Sequence, residues 1–220
     1  MDNEQWRERW QSGQTGFHEP KPHPLLVEYL PVLNIAQGDA VFVPLCGASI
    51  DMQYLVHSGY RVVGCELSEL ACQQYFIENN LTYRVKQAEP FICYEGANIQ
   101  LFCGDVFQLT EKITGKMQAV YDRAALIALD PEQRIPYVKK LNDLLPKMNL
   151  LLITITHDSA EGPPHSIEDK VVQSLFPNNK TIPLLTTANT PTVKRLQDRG
   201  KLNVKEHVFL SSLMLSHSWR

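Results

Sequence analysis

The chain has 220 residues, 44% hydrophobic and 20% charged, with a formal net charge of −3. That length supports one sizeable core and is short for two ordinary domains. The acidic balance excludes a protein built to neutralise many phosphates, since Lys139-Lys140 and Lys194-Arg195 are too short for a nucleic-acid track, and no apolar run approaches the roughly 18–20 residues that span a bilayer.

Residues 2–12 read as a short helix with Trp6 and Trp10 one turn apart on one face. This polar opening differs from a signal peptide. The stretch from Gly13 to Pro24 is broken by glycines and prolines and reads as a loop, and Leu25 to Leu30 as a second short helix. Both tryptophans are expected to be only partly buried without ligand, with residues 1–30 acting as a helical lid. From Ala40 the period changes. Ala40 to Leu45 is an apolar run that enters a tight turn at Cys46-Gly47, the pattern of a buried strand. Ser49 is placed to cap the following helix, with Asp51 in its positive first turn. Met52, Leu55 and Val56 give that helix its buried stripe, and Gly59 ends it.

The same phrase repeats. Arg61 to Cys65 is a strand ending at Glu66, followed by a helix capped by Ser68. Further strands are predicted at Ile99 to Cys103, Met117 to Tyr121, Leu150 to Thr156, Thr181 to Thr187 and Leu202 to Ser211. Helices are predicted from Pro131 to Leu145, Ile167 to Phe176 and Pro191 to Arg199. Strands alternating with helices, and apolar on both faces, imply a parallel sheet covered on both sides. The expected fold is a single α/β domain over residues 1–220, doubly wound around a mainly parallel seven-stranded sheet. The five cysteines (Cys46, Cys65, Cys72, Cys93, Cys103) form no CxxC pair and no zinc-finger spacing. They read as reduced, mostly buried thiols of a cytoplasmic protein, with no metal site.

In open α/β sheets ligands bind beyond the carboxyl ends of the strands. Leu45-Cys46-Gly47, Glu66, Asp105 and Arg123 all fall at such ends. A carboxylate ending the second strand about 20 residues past the glycine turn is placed to accept both ribose hydroxyls of an adenosine cofactor; the plainer alternative is a solvated strand-end residue. The turn has one glycine, not G-x-G-x-x-G. Several glycines let a backbone crowd a pyrophosphate. S-adenosylmethionine carries no phosphate, so the sparse turn favours it over a nicotinamide dinucleotide.

Trp6-x-x-x-Trp10, Gly16-Phe17-His18, Pro44-Leu45-Cys46-Gly47 with Asp51-Met52, and Val62-Val63-Gly64-x-Glu66-Leu67-Ser68-Glu69 occur in that order. Gly104-Asp105-Val106-Phe107, Tyr121-Asp122-Arg123-Ala124-Ala125-Leu126 and Gly162-Pro163-Pro164 follow. In this the chain resembles the thiopurine S-methyltransferase family, from Trp6 to about Phe209. The resemblance implies a Rossmann-like class I methyltransferase fold. It also implies that Trp10 packs on S-adenosylmethionine from the lid, that Leu45 and Gly47 meet its methionine part, and that Glu66 holds the ribose. Asp105 would lie on the adenine side, Arg123 beside the methionyl group and the acceptor, and Phe17 in an aromatic pocket. Plainer alternatives are a core role for Trp6, Trp10 and Phe17, an ion pair of Arg123 with Asp122, and a loop-ordering role for His18. The chain departs from the family's pattern at Ala48 (usually Lys), His157 (usually Tyr) and His165 (usually Phe), the last two expected near the substrate mouth.

Methyl transfer from a sulfonium is an in-line displacement, so the protein mainly holds two reactants collinear and dry; orientation supplies on the order of 7–11 kcal/mol. Heteroaromatic thiols ionise partly at neutral pH, and Arg123 is the cation that would steady the thiolate, with Arg195 a second candidate. The expected enzyme is a monomeric, cytoplasmic methyltransferase acting on small aromatic or heterocyclic thiols and producing S-adenosylhomocysteine, without nucleic-acid or membrane partners. Selenium or tellurium acceptors, and a non-catalytic S-adenosylmethionine-binding protein, are the alternatives.

Overall fold

Ala40–Pro44 forms a strand (β1) buried along its whole length, as its unbroken apolar run requires of a strand covered on both faces. The structure is a computed structural model describing residues 3–15, 19–147, 149–177 and 181–211, with the side chains of 181 and 182 excepted. Phe17, His18 and the last nine residues of the chain lie outside the described residues. The chain forms two units, one of residues up to Glu28 with Asn34–Ala119, the other of Tyr29–Leu33 with the residues from Val120 onward.

The first unit runs through α1 (Asn3–Gln11), α2 (Pro24–Tyr29), β1, α3 (Ile50–His57), β2 (Arg61–Glu66) and α4 (Glu69–Glu78). It continues with β3 (Arg84–Ala88), β4 (Phe91–Gly96), β5 (Ile99–Cys103) and the short α5 (Glu111–Thr114). Its strand order is β3-β4-β5-β2-β1. β1 and β2 are parallel with Val41 beside Val62, and β2 and β5 are parallel with Glu66 beside Cys103. The caps follow the sequence. Ser49 accepts from the N–H of Asp51 and Ser68 from that of Ala71, each satisfying a donor that the helix start leaves open. Asp51 does more than meet the helix dipole. It is buried and accepts the N–H of His23 at 2.7 Å, which pins the loop before α2.

The second unit contains a 3-10 turn (Leu30–Leu33), β6 (Ala119–Asp122), α6 (Ala125–Ala128), α7 (Pro131–Leu144) and β7 (Asn149–Thr156). It closes with α8 (Asp169–Leu175), β8 (Thr181–Thr187), α9 (Pro191–Asp198) and β9 (Lys205–Ser211). Its strand order is β6-β7-β9-β8, with β9 antiparallel to both β7 and β8. Ile155, Val193, Leu196 and Val204 form a buried cluster against which Ile127 packs, so α9 lies by the segment that follows β6.

Two features differ from the sequence reading. The seven expected strands are present, and the described residues add a hairpin, β3–β4, antiparallel within itself and to β5. β3 is exposed at nearly every residue, so it lacks the apolar run that marks a covered strand. Hairpin hydrogen bonds hold it, together with ion pairs from Arg84 and Lys86 to Glu95. The second difference is in α1. Trp6 is half-buried with the Arg9 guanidinium over its ring, but Trp10 is only 4% exposed without any ligand.

Parallel packing of β2 leaves no room at Gly64. A methyl group there would stand 2.5 Å from Cδ2 of Leu101 and 2.8 Å from the Cys46 sulfur. Gly64→Ala is expected to destabilise the fold by about 1–3 kcal/mol, the usual cost of overpacking. Urea denaturation reads this directly, and an unchanged midpoint would mean that the two neighbours yield freely.

Candidate active site

The turn after β1 is built on an unfavourable backbone. Leu45 has φ +46° and Gly47 φ +54°. The left-handed region suits glycine, but for leucine it costs on the order of 1–3 kcal/mol and persists only where the surroundings impose it. The surroundings here are hydrogen bonds. The Cys46 N–H donates to the Cys65 carbonyl at 3.0 Å, and the Gly47 N–H to Glu66 Oε2 at 2.9 Å. The other Glu66 oxygen, Oε1, accepts the Ser68 N–H at 2.8 Å. One carboxylate thus joins the turn after β1 to the start of α4.

Glu66 is 7% exposed, which overturns the solvated strand-end alternative. Burial pushes its carboxyl above the ordinary range, and the backbone N–H groups of Ser68 and Gly47 pull it back. Each oxygen has about two acceptor directions, so one on each is left after the backbone bonds. That is the acceptor set a vicinal diol requires, and the residues fit an adenosine ribose. Trp10 sits on the same turn, and a methyl group on Gly47 would stand 3.0 Å from its Cζ2. The close approach explains why position 47 is glycine. Asp105 follows β5 half-buried and accepts the Phe107 N–H through Oδ1 at 3.0 Å, which fixes the loop it begins.

The second unit carries the other strand-end group. Arg123 directly follows β6 and is half-buried. Its neighbour Asp122 is buried, and its Oδ1 accepts the N–H groups of Ala125 and Leu126 at 3.0 and 3.2 Å. Asp122 Oδ2 accepts the Tyr137 hydroxyl at 2.7 Å. Asp122 is therefore a buried clamp on the backbone around Arg123, a role different from that of a surface ion-pair partner. Tyr137 comes from α7 and belongs to no motif, so only its position in the folded chain reveals it. Arg195 is half-buried on α9, between core residues Val193 and Leu196.

His157 and His165 both meet the Gly162–Pro164 loop. His157 Nε2 bonds the Pro164 carbonyl at 3.0 Å, which makes Nε2 the protonated nitrogen. His165 Nε2 meets Asp130 Oδ1 at 3.1 Å, and its ring lies where a Gly162 side chain would go. Burial pushes the His165 imidazole below its ordinary range, with Arg134 adding and Asp130 opposing.

This arrangement of strands and helices is shared with solved structures of methyltransferases. The magnesium protoporphyrin IX methyltransferase of Synechocystis PCC 6803, with bound S-adenosylhomocysteine, superposes with a TM-score of 0.64 at 14% identity, over 96% of this chain and 100% of that one. The 1,6-didemethyltoxoflavin-N1-methyltransferase of Burkholderia thailandensis does so with a TM-score of 0.63 at 13% identity, over 96% and 86%. The fold is that of the class I S-adenosylmethionine-dependent methyltransferases. The sequence profile of the family described as Thiopurine S-methyltransferase (TPMT) matches residues 1–212. A probable thiopurine S-methyltransferase of Yarrowia lipolytica is 44% identical over 84% of this chain and 89% of its own length. A thiopurine S-methyltransferase of Nitrosospira multiformis is 40% identical over 96% and 97%. The chain belongs to the thiopurine S-methyltransferase family.

The Asp122 clamp has a consequence for stability. Burial, the largest influence, raises its carboxyl from the ordinary 3.8 to about 6 in the folded protein, although Tyr137 and the N–H groups of Leu126 and Ala125 favour the ionised form. A folded-state pKa above the unfolded one favours the protonated native state. The contribution is therefore fully present below pH 3.8 and lost as pH rises through about 6. Denaturant midpoints measured from pH 4 to 6.5 should fall more steeply with pH for the wild type than for Asp122→Asn. Parallel curves would show that Asp122 titrates alike in both states.

Proposed function

We propose that this chain transfers the methyl group of S-adenosylmethionine to the sulfur of aromatic or heterocyclic thiols, thiopurines among them, and releases S-adenosylhomocysteine. The observation that carries the reading is the buried Glu66 carboxylate, tied to the Gly47 and Ser68 N–H groups and left with one acceptor direction on each oxygen. The cofactor supplies a methyl group already activated by the positive charge of its sulfonium. In this reading Glu66 holds the ribose, and the Leu45–Gly47 backbone receives the methionine part. Trp10 covers the turn, Asp105 lines the adenine side, and Phe17 the acceptor pocket. Arg123 faces the reacting sulfur. A thiolate loses energy on desolvation unless a cation stands by it, and a guanidinium keeps its charge in any protein environment. The Asp122 clamp fixes the backbone that carries Arg123, so the side chain starts from a defined position. Arg195 is a second cation for the acceptor.

The chain is read as one methyltransferase domain with residues 1–30 as its lid, supported by a family match that spans both units. All five cysteines are free thiols and no helix among the described residues is long and apolar enough to cross a membrane. Both features suit a monomer working in a reducing cytoplasm.

Two substitutions test the assignment. Glu66→Gln sets an amide NH2 against the Gly47 or Ser68 N–H and removes the charge, and charge-assisted hydrogen bonds contribute roughly 1.5–3 kcal/mol. Calorimetry should show S-adenosylhomocysteine affinity down tenfold or more, and denaturation some loss of stability. Unchanged affinity would remove Glu66 from the site.

Arg123→Lys keeps the charge but loses the planar fork. It should retain the fold and most cofactor affinity while thiol methylation slows about tenfold, equal to about 1.4 kcal/mol in the barrier. Arg123→Ala should be slower still, and its rate should recover in part at higher pH, where the acceptor thiol ionises unaided. A rate for Arg123→Ala equal to wild type at pH 7 would remove the arginine from the mechanism.

A further inference from the structure

Cys103 ends β5 directly beside Glu66 in the sheet register, and its sulfur lies 3.9 Å from the Leu67 carbonyl oxygen. Cys72 lies on α4 one turn beyond the capping residue, its N–H bonded to the Ser68 carbonyl at 3.2 Å. The two thiols are hydrogen-bonded to each other, Cys72 donating and Cys103 accepting. Of the five cysteines, Cys103 is the one that is not buried.

The two members of the pair differ in a way that suits attack and resolution. The hydrogen bond from Cys72 draws the Cys103 thiol below the ordinary range, against burial and the carboxylates of Glu69 and Glu66, with Arg7 on α1 assisting. The same hydrogen bond, and then burial, hold the Cys72 thiol well above that range. Cys46 and Cys65, on the other side of Glu66, are raised chiefly by burial and stay protonated. A partly exposed sulfur with thiolate character next to a second thiol is the usual setting of a redox-modified cysteine.

We propose that Cys72 and Cys103 are a redox modification site at which hydrogen peroxide forms a disulfide, and that this bridge weakens cofactor binding at Glu66. The Cys103 thiolate attacks peroxide. A sulfur–oxygen bond forms, the oxygen–oxygen bond breaks, and the departing hydroxide takes up a proton to become water. The Cys72 sulfur then attacks the sulfenic sulfur of Cys103. The sulfur–sulfur bond forms, the sulfur–oxygen bond breaks, and a second water leaves with the Cys72 proton. Two thiols lose two electrons, and one peroxide is reduced to two waters.

The bridge acts on Glu66 through geometry. It shortens the sulfur–sulfur separation from hydrogen-bond contact to about 2.05 Å, drawing the first turn of α4 toward the end of β5. Between them lies the bond from the Ser68 N–H to Glu66 Oε1. Moving Ser68 disturbs one of the two N–H groups that orient the carboxylate. This second half rests on the reading of Glu66 as the ribose carboxylate.

The experiment treats the full chain with hydrogen peroxide at pH 7, then blocks remaining thiols, maps disulfides by peptide mass spectrometry, and measures S-adenosylhomocysteine binding by calorimetry. The expected result is a Cys72–Cys103 peptide, two mass units lighter than the reduced pair, with affinity lowered tenfold or more and restored by dithiothreitol. Cys72→Ser and Cys72→Ala should each keep their affinity through peroxide treatment, while Cys93→Ser should respond like wild type. Absence of the Cys72–Cys103 peptide overturns the site. A bridge formed with affinity unchanged overturns its effect on the cofactor. Failure of the reduced protein to bind S-adenosylhomocysteine would overturn the reading of Glu66 and with it the effect on binding, while the peptide map would still decide whether the bridge forms.

Discussion

One buried carboxylate holds the cofactor half of the molecule in shape. Glu66 accepts a backbone N–H from the turn after β1 and another from the start of α4, two places the chain visits 19 and 2 residues away. Both donors belong to backbone that cannot be satisfied by regular structure. Gly47 lies in a left-handed turn and Ser68 is the cap of a helix. Without an acceptor these N–H groups would be buried at a cost of about 1–3 kcal/mol each. With the carboxylate in place, the strained Leu45–Gly47 turn is held, Trp10 finds a flat surface to cover, and two acceptor directions stay open for a ligand. Burial makes the charge expensive, and the two N–H groups offset part of that expense. A hydroxyl pair from a ribose would supply the rest, so the site is stabilised by what it binds.

Asp122 does comparable work in the second unit, with a different outcome. It too ends a strand and accepts two backbone N–H groups, both on one oxygen, while the other oxygen accepts the Tyr137 hydroxyl. Three protein donors account for much of what the carboxylate can accept, so it acts as structure. The group offered for chemistry is the next residue, Arg123. Two acidic residues of similar burial and position therefore divide into a binding role and a positioning role according to how many protein donors reach them.

The elements that could be read from the sequence are those whose chemistry is local. β1, β2, β5 and β7 are apolar enough to be recognised as covered strands, and Ser49 and Ser68 cap helices in the way their side chains allow at a helix start. The hairpin β3–β4 could not be read so. Arg-Val-Lys-Gln-Ala has neither a buried run nor a clean alternation, and its place is set by the partner strand and by Glu95. The burial of Trp10 was also hidden, because an aromatic residue on a polar helix is compatible with a covered or an open face until the surface opposite it is known.

Composition, strand-end residues and motif order determined that this chain is an α/β methyltransferase of the thiopurine family, and which strand-end residues to examine. These follow from sequence because a covered strand, a helix cap and a motif are each written in consecutive or regularly spaced residues. Tertiary structure alone decided that Glu66 is buried and bonded on both oxygens, that Asp122 is a clamp shared with Tyr137, and that His165 meets Asp130. It alone brought the Cys72 and Cys103 thiols into contact. Those pairings join residues 15 to 35 positions apart with no common spacing. They arise only when strands and helices settle into one register, and protonation, exposure and reactivity are properties of that register.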